Sequence, residues 1–128
     1  MAREGDRLIT DITGPRFDGF LYVDLYDPEG NVVHLLPNPL ERKNRIGANR
    51  QTVLGDDPFF GQVWEIVPPF GKHMLVVMAS RTPLFDRERP QVEGVPGYLR
   101  AVREAAGTKT ADERFVAYYT IVEFMPRR

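Results

Sequence analysis

The stretch GFLYVDLYDPEGNVVHLLPN, Gly19 to Asn38, decides the fold, because it reads as one complete β-hairpin with a consistent inside and outside. Leu21, Val23 and Leu25 alternate with Tyr22, Asp24 and Tyr26, the turn signal Asp27-Pro28-Glu29-Gly30 interrupts them, and Asn31 to Leu36 resumes an apolar strand. A three-residue loop suits the turn: proline fits the fixed φ of a type I turn, and Gly30 takes the left-handed position of a bulge. Asp27 then pairs with Asn31, Tyr26 with Val32, Leu25 with Val33, Asp24 with His34 and Val23 with Leu35. This register gathers Leu21, Val23, Leu25, Val33 and Leu35 on one buried face, whereas a two-residue loop would slip His34 in beside Val23.

Outward from the hairpin, 11 prolines and 11 glycines break the chain into short segments, which favours antiparallel strands over a helical bundle. Arg7 to Thr13 is expected to form a short strand before the Gly14-Pro15 break. Pro37-Asn38-Pro39 ends the hairpin, and the polar, basic stretch to Pro58 is the longest loop, apart from a strand around Gln51 to Leu54. The segment QVWEIVPPFGKHMLVVMAS, from Gln62, repeats the turn pattern of the first hairpin at Pro68-Pro69-Phe70-Gly71, which would pair Val67 with His73 and Trp64 with Val76. Its second arm is apolar on both faces and should lie centrally in a sheet. After a charged, proline-rich loop from Thr82 to Val95, Pro96 opens the one convincing helix. Leu99, Val102 and Ala106 line one side of it and Gly107 stops it. A last strand, Phe115 to Phe124, is again apolar on both faces. The expected fold is a mostly β, antiparallel, sandwich-like domain with one α-helix near residues 96–106. Its core should hold the five hairpin residues with Trp64, Leu75, Val77 and Ile121.

At 128 residues the chain fits a single globular domain, 1–128, that buries enough surface to need no metal or disulfide, and it would also suit a domain cut from a longer protein. The absence of cysteine excludes disulfides, Cys-ligated zinc and thiol nucleophiles, and leaves the compartment open, cytoplasmic or exported. With 17 basic and 18 acidic side chains the net charge is -1, which argues against a dedicated nucleic-acid or membrane-surface binder. No window has the apolar length of a signal peptide or a membrane span, so the chain is expected to be soluble.

The candidate chemistry is sparse. Asp24 opposite His34, flanked by Tyr22 and Tyr26, is the only arrangement resembling an acid–base pair. On a solvent face it reads as an ordinary cross-strand ion pair, contributing about 0.2–1 kcal/mol. No serine lies in a nucleophile motif, His34 and His73 give no metal-ligand spacing, and Gly14, Gly47 and Gly55 do not assemble a phosphate loop. No catalytic residue, cofactor or metal is therefore expected. Arg42, Lys43, Asn44, Arg45 and Arg50 concentrate positive charge in the long loop, where they could meet phosphate, carboxylate or an acidic protein surface, Asn38 and Asn44 bracing the backbone. Trp64, Phe59, Phe60 and Phe70 could form an aromatic surface, with Trp64 better read as core and Phe70, in a turn, as a second binding candidate.

Several short elements occur in a telling order: Leu21-Tyr22-Val23, the Asp27 to Gly30 turn, Leu35-Leu36-Pro37-Asn38, Asn44-Arg45-Ile46, Pro69-Phe70-Gly71, and the strand Leu75 to Ser80. In this order, from about Phe17 to Phe85, the chain resembles a family of bacterial domains catalogued as domain of unknown function 4384. Leu36 stands where that family usually has an aromatic, and Lys72-His73 where an acidic residue often follows the glycine. The resemblance implies a non-catalytic accessory module, of the kind appended to serine/threonine kinases, caspase-like peptidases and envelope or secretion proteins, with no active-site residues to carry over. The expected function is binding of a protein partner or anionic ligand through loops or strand edges. The alternative is a small enzyme or ligand-binding domain built on an Asp24/His34 pocket.

Overall fold

The computed structural model describes residues 2–56, 63–108 and 114–127. Nine strands and one helix occur there in the order β1 (Ala2–Arg3), β2 (Thr10–Thr13), β3 (Gly19–Tyr26), β4 (Asn31–Leu36), β5 (Arg45–Ile46), β6 (Gln51–Leu54), β7 (Gly71–Ser80), β8 (Val92–Gly94), α1 (Val95–Gly107) and β9 (Phe115–Met125). The fold is mostly β. A large sheet runs β1-β9-β7-β3-β4-β8, with β5 also on β3, and a two-stranded sheet is formed by β2 and β6. All pairings are antiparallel except β1 with β9.

The opening hairpin folds as its sequence dictates. The Asp27 amide donates to the Asn31 carbonyl at 2.9 Å, the Asp27 carboxylate accepts from the amides of Glu29 and Asn31, and Gly30 takes φ 90°. Tyr26, Leu25 and Asp24 face Val32, Val33 and His34 as expected, but Val23 faces Leu36, not Leu35. Leu35 is the extra residue of a β-bulge, and the kink lets both Leu35 and Leu36 reach the same core.

Strand β7 is central, as its two apolar faces require. Leu75 and Val77 turn to a main core with Leu21, Val23, Leu25, Leu36, Trp64 and Ile66, closed by Ile12 and Leu54 from the small sheet. Met78 turns to a second core on the opposite face, with Tyr22, Val32, Leu84 and Tyr98. Each fully buried Val or Leu there contributes about 1.5–3 kcal/mol.

Four further expectations are corrected. The second hairpin does not form, because β9 fills one edge of β7 from Gly71 to Ser80 and β3 the other from Met74 to Ser80, including Val76, the expected partner of Trp64. The Trp64–Ile66 segment instead bonds to the start of the chain, Leu8 N donating to Trp64 O at 2.6 Å and Ile66 N to Asp6 O at 2.8 Å. Ile121 is 56% exposed, in the stretch of β9 from Val116 to Ile121 that lies between the ends packed on the two cores. On α1 the inward stripe is Val95, Tyr98, Val102 and Ala105, while Leu99 is exposed. The strand expected from Arg7 begins at Thr10, with Arg7 in an isolated bridge to Glu65. No helix among the described residues is long and apolar enough to cross a membrane.

Candidate binding site

The register of β3 on β4 sets Asp24 beside His34, and the face they share is covered, not solvated. Asp24 is 1% and His34 2% exposed, which corrects the reading of a surface ion pair. Strand β8 lays Glu93 against Val32, and the first turn of α1 carries Tyr98 over the same spot. His34 Nδ1 lies 2.7 Å from Asp24 Oδ1 and its Nε2 2.6 Å from Glu93 Oε2. The Tyr98 hydroxyl donates to the other Asp24 oxygen, and Arg89 grips Glu93 through Nε at 3.0 Å and Nη2 at 2.5 Å. The Tyr98 ring meets the imidazole edge to face, 4.5 Å between centroids.

The electrostatics follow from this geometry. Burial pushes His34 down, but the hydrogen bond and charge of Asp24, then those of Glu93, outweigh it and raise the imidazole above its usual value. Burial likewise works against ionised Glu93, yet its bonds to Arg89 and His34 bring its carboxyl below the usual range. Tyr98 is raised far above a free phenol by burial and by the nearby Asp24 charge, so it keeps its proton. A carboxylate stands on each ring nitrogen of His34, which favours the charged form of the imidazole. The arrangement clamps β3, β4, β8 and α1 together.

Above this network lies a cavity of about 320 Å³, whose wall includes Phe20, Tyr22 and Phe85 with Asp24, His34 and Tyr98. Arg42 sits at this cavity and is paired with Glu88 at 2.6 Å. Its charge is therefore cancelled locally, as Arg89 is by Glu93.

The other loop cations stand elsewhere. Asn38, buried, donates to the carbonyls of His34 (2.7 Å) and Leu35 (3.3 Å) and accepts from the amides of Leu40 and Glu41, fixing the chain as it leaves β4. Asn44 donates its side-chain amide to Leu21 O at 3.0 Å while its carbonyl accepts from Leu21 N, which ties the loop to β3 and lets β5 pair with Gly19 and Phe20. The loop so anchored contains β5 and β6, and it frames a cleft of about 360 Å³ where Lys43, Arg45 and Arg50 surround an apolar floor of Leu21, Leu36 and Ile46. No carboxylate lines this cleft, and none of its three cations has an acidic partner among the described residues. The Arg45 guanidinium is steadied 5.4 Å over the Phe20 ring.

Of the residues singled out in the sequence, Lys43, Asn44, Arg45 and Arg50 thus converge, Arg42 faces the neighbouring cavity, and Asn38 acts behind both. Phe70 is half-buried against the main core and lines neither. Trp64 is core, and Phe59 and Phe60 lie outside the described residues. His73 stacks on Phe124 at 4.1 Å, remote from His34, and no metal-holding cluster occurs among the described residues. Sequence reasoning missed Arg89, Glu93 and Tyr98. The spacing of Val95, Tyr98, Val102 and Ala105 was the available signal for the last of them.

One family model, described as domain of unknown function (DUF4384), matches residues 2–83, nearly two thirds of the chain. No curated protein and no solved structure matches it.

Proposed function

Because the chain belongs to the DUF4384 family of domains of unknown function, we propose for it a non-catalytic role: a recognition module that takes an anionic group in the cleft of Lys43, Arg45 and Arg50. The observation that carries this reading is the charge asymmetry of the two neighbouring hollows. In the cavity beside the helix acids stand among the cations: Arg42 pairs with Glu88, Arg89 with Glu93, and Asp86 lines the wall next to Arg87. In the cleft on the other side of Asn44 three cations face one space without an acid. Its floor of buried leucine and isoleucine suits an anion carried on an apolar body, such as an acidic side chain of a partner protein or an amphipathic carboxylate or phosphate. The module would serve as an accessory part of a larger bacterial protein, the chemistry residing in another domain.

The enzyme alternative rests on the cavity that reaches Asp24 and His34. The double occupation of the His34 ring counts against it, since a base must offer a free nitrogen.

The test is a titration with an acidic peptide and with inorganic phosphate, over a salt series, of the natural chain and of a variant carrying Lys43→Glu, Arg45→Glu and Arg50→Glu. Binding should weaken as salt screens the cleft and disappear in the variant, whose stability stays within about 0.5 kcal/mol because all three side chains are exposed. A preference for peptide or for phosphate distinguishes a protein partner from a small ligand. Equal binding by both chains would refute the reading.

A further inference from the structure

The cavity above the buried network has the walls of a small-molecule site. Its volume, about 320 Å³, falls at the lower end of such sites, which run from roughly 300 to 1,000 Å³. Three rings make one continuous wall: Tyr22 meets Phe85 edge to face at 5.9 Å between centroids, and Phe85 meets Tyr98 at 5.8 Å. That wall is fixed in advance, because Tyr22 and Tyr98 are buried and Tyr98 is tied through Asp24 to His34. One polar group of the wall is left over. The Tyr22 hydroxyl accepts from the Leu84 amide at 2.8 Å, with the Asn44 side chain beside it, and its own proton meets no acceptor among the described residues. Leu84 lies between Pro83 and Phe85, which with Asn44 line the cavity, so this proton stands at the cavity wall. Burial raises the Tyr22 phenol above its ordinary value, which keeps the donor in place at neutral pH.

Charge narrows the occupant. The rings already carry cations, Arg89 at 5.3 Å from Phe85 and 5.8 Å from Tyr98, and Arg45 at 5.4 Å from Phe20, so a cationic ligand would be set beside like charge. An anion would meet Asp24, Asp86 and Glu88, and would find Arg42 and Arg89 already paired. We infer that the cavity binds an uncharged, flat aromatic molecule of one or two rings, whose carbonyl or ring-nitrogen acceptor takes the Tyr22 proton. Aromatic walls hold such a ring by offset stacking or edge-to-face contact. A buried donor without a partner then selects a ligand that brings an acceptor over one that leaves the donor unpaired. The inference goes beyond the cationic cleft and does not depend on it, since Lys43, Arg45 and Arg50 do not line this cavity.

Coumarin, an uncharged bicycle with a carbonyl acceptor, and indole, a bicycle of similar size without one, serve as probes. Amide-detected NMR titration of the full chain with coumarin should give saturable shifts at Phe20, Phe85 and Tyr98, with a Kd on the order of 0.1–1 mM for a molecule of this size. At the same resonances the charged counterparts 2-naphthoate and N-methylquinolinium should bind roughly tenfold more weakly. Tyr22→Phe removes the donor and should weaken coumarin about fivefold or more while leaving indole within about twofold, a difference that a change in wall shape would not produce. Phe85→Leu, at a half-buried position, shortens the aromatic wall and should weaken both probes. Lys43→Glu, in the neighbouring cleft, should bind coumarin as the natural chain does. The absence of saturable shifts at the wall up to the solubility of coumarin would overturn the proposal. So would binding there as tight for either charged counterpart, a Tyr22→Phe effect equal for coumarin and indole, or unchanged binding of both probes by Phe85→Leu.

Discussion

Replacing Tyr98 by Phe isolates the buried network that joins the helix to the sheet. The ring of Tyr98 is fully buried against Tyr26, His34 and Phe85, and phenylalanine keeps that ring, so no cavity contributes to the effect. What is lost is one hydrogen bond from the hydroxyl to the Asp24 carboxylate. Hydrogen bonds to charged groups contribute about 1.5–3 kcal/mol, and an abandoned buried acceptor sets the cost at the upper part of that range. For a domain of this size a loss of 1 kcal/mol lowers Tm by roughly 3–5 °C, so Tyr98→Phe should melt roughly 5–15 °C below the natural chain. Urea unfolding followed through Trp64, the one tryptophan and itself buried, should show the same loss as a lower midpoint at constant slope. Tyr119→Phe, on the exposed face of β9, should change stability by less than about 0.5 kcal/mol. A loss below about 0.5 kcal/mol for Tyr98→Phe would refute the argument that this hydroxyl satisfies the Asp24 carboxylate.

The same network makes stability depend on pH. The raised His34 contributes fully below its unfolded value of about 6.5 and loses that contribution as pH climbs through the higher folded value, while the lowered Glu93 contributes above about 4.5 and loses it as pH falls through its folded value. Unfolding free energy should therefore peak between those limits, and His34→Gln should flatten the alkaline side; an unchanged alkaline slope in that variant would contradict the assignment. Leu75→Ala truncates a main-core side chain and should cost about 2–5 kcal/mol by denaturant unfolding, with less than about 0.5 placing Leu75 at the surface. Gly55→Ala should cost about 2–4 kcal/mol, because Gly55 holds φ 94° and a Cβ there would lie 2.1 Å from the Leu8 carbonyl oxygen.

Local signals were readable and distant ones were not. The hairpin was legible to the residue as far as Asp24, since its turn chemistry and alternation lie within twenty consecutive positions. The bulge at Leu35 was not, because it answers the demand of a core assembled from β2, β6 and Trp64. The double apolar faces of β7 correctly marked it as central, but they could not say which strands flank it, and so suggested the adjacent Trp64 segment in place of β3 and β9. The same ambiguity misplaced Ile121: apolar residues on both faces of β9 read as burial, although only the ends, at Phe115, Val122 and Phe124, pack on a core while Val116 to Ile121 stay exposed. At the site, charge in the loop was visible from composition, and its division between a neutralised Arg42 and three unopposed cations depended on Glu88, far along the chain. Asp24 and His34 looked solvated because Glu93 and Tyr98, which enclose them, follow them by some sixty residues or more.

The strand order carries a kinetic consequence. Only β3 and β4 are joined by a tight turn within the sheet, while β3 must find β7 with Tyr22 opposite Met78, and β1 meets β9 with Ala2 opposite Phe124. A chain that must close such long loops before its central strand is flanked is expected to fold in milliseconds to seconds, with the Asp27–Gly30 hairpin as an early local structure. Substitutions in that turn should then slow refolding, whereas substitutions where β1 meets β9 should mainly hasten unfolding. On that expectation the sheet assembles from its middle outward, β9 joining only after β7 is in place.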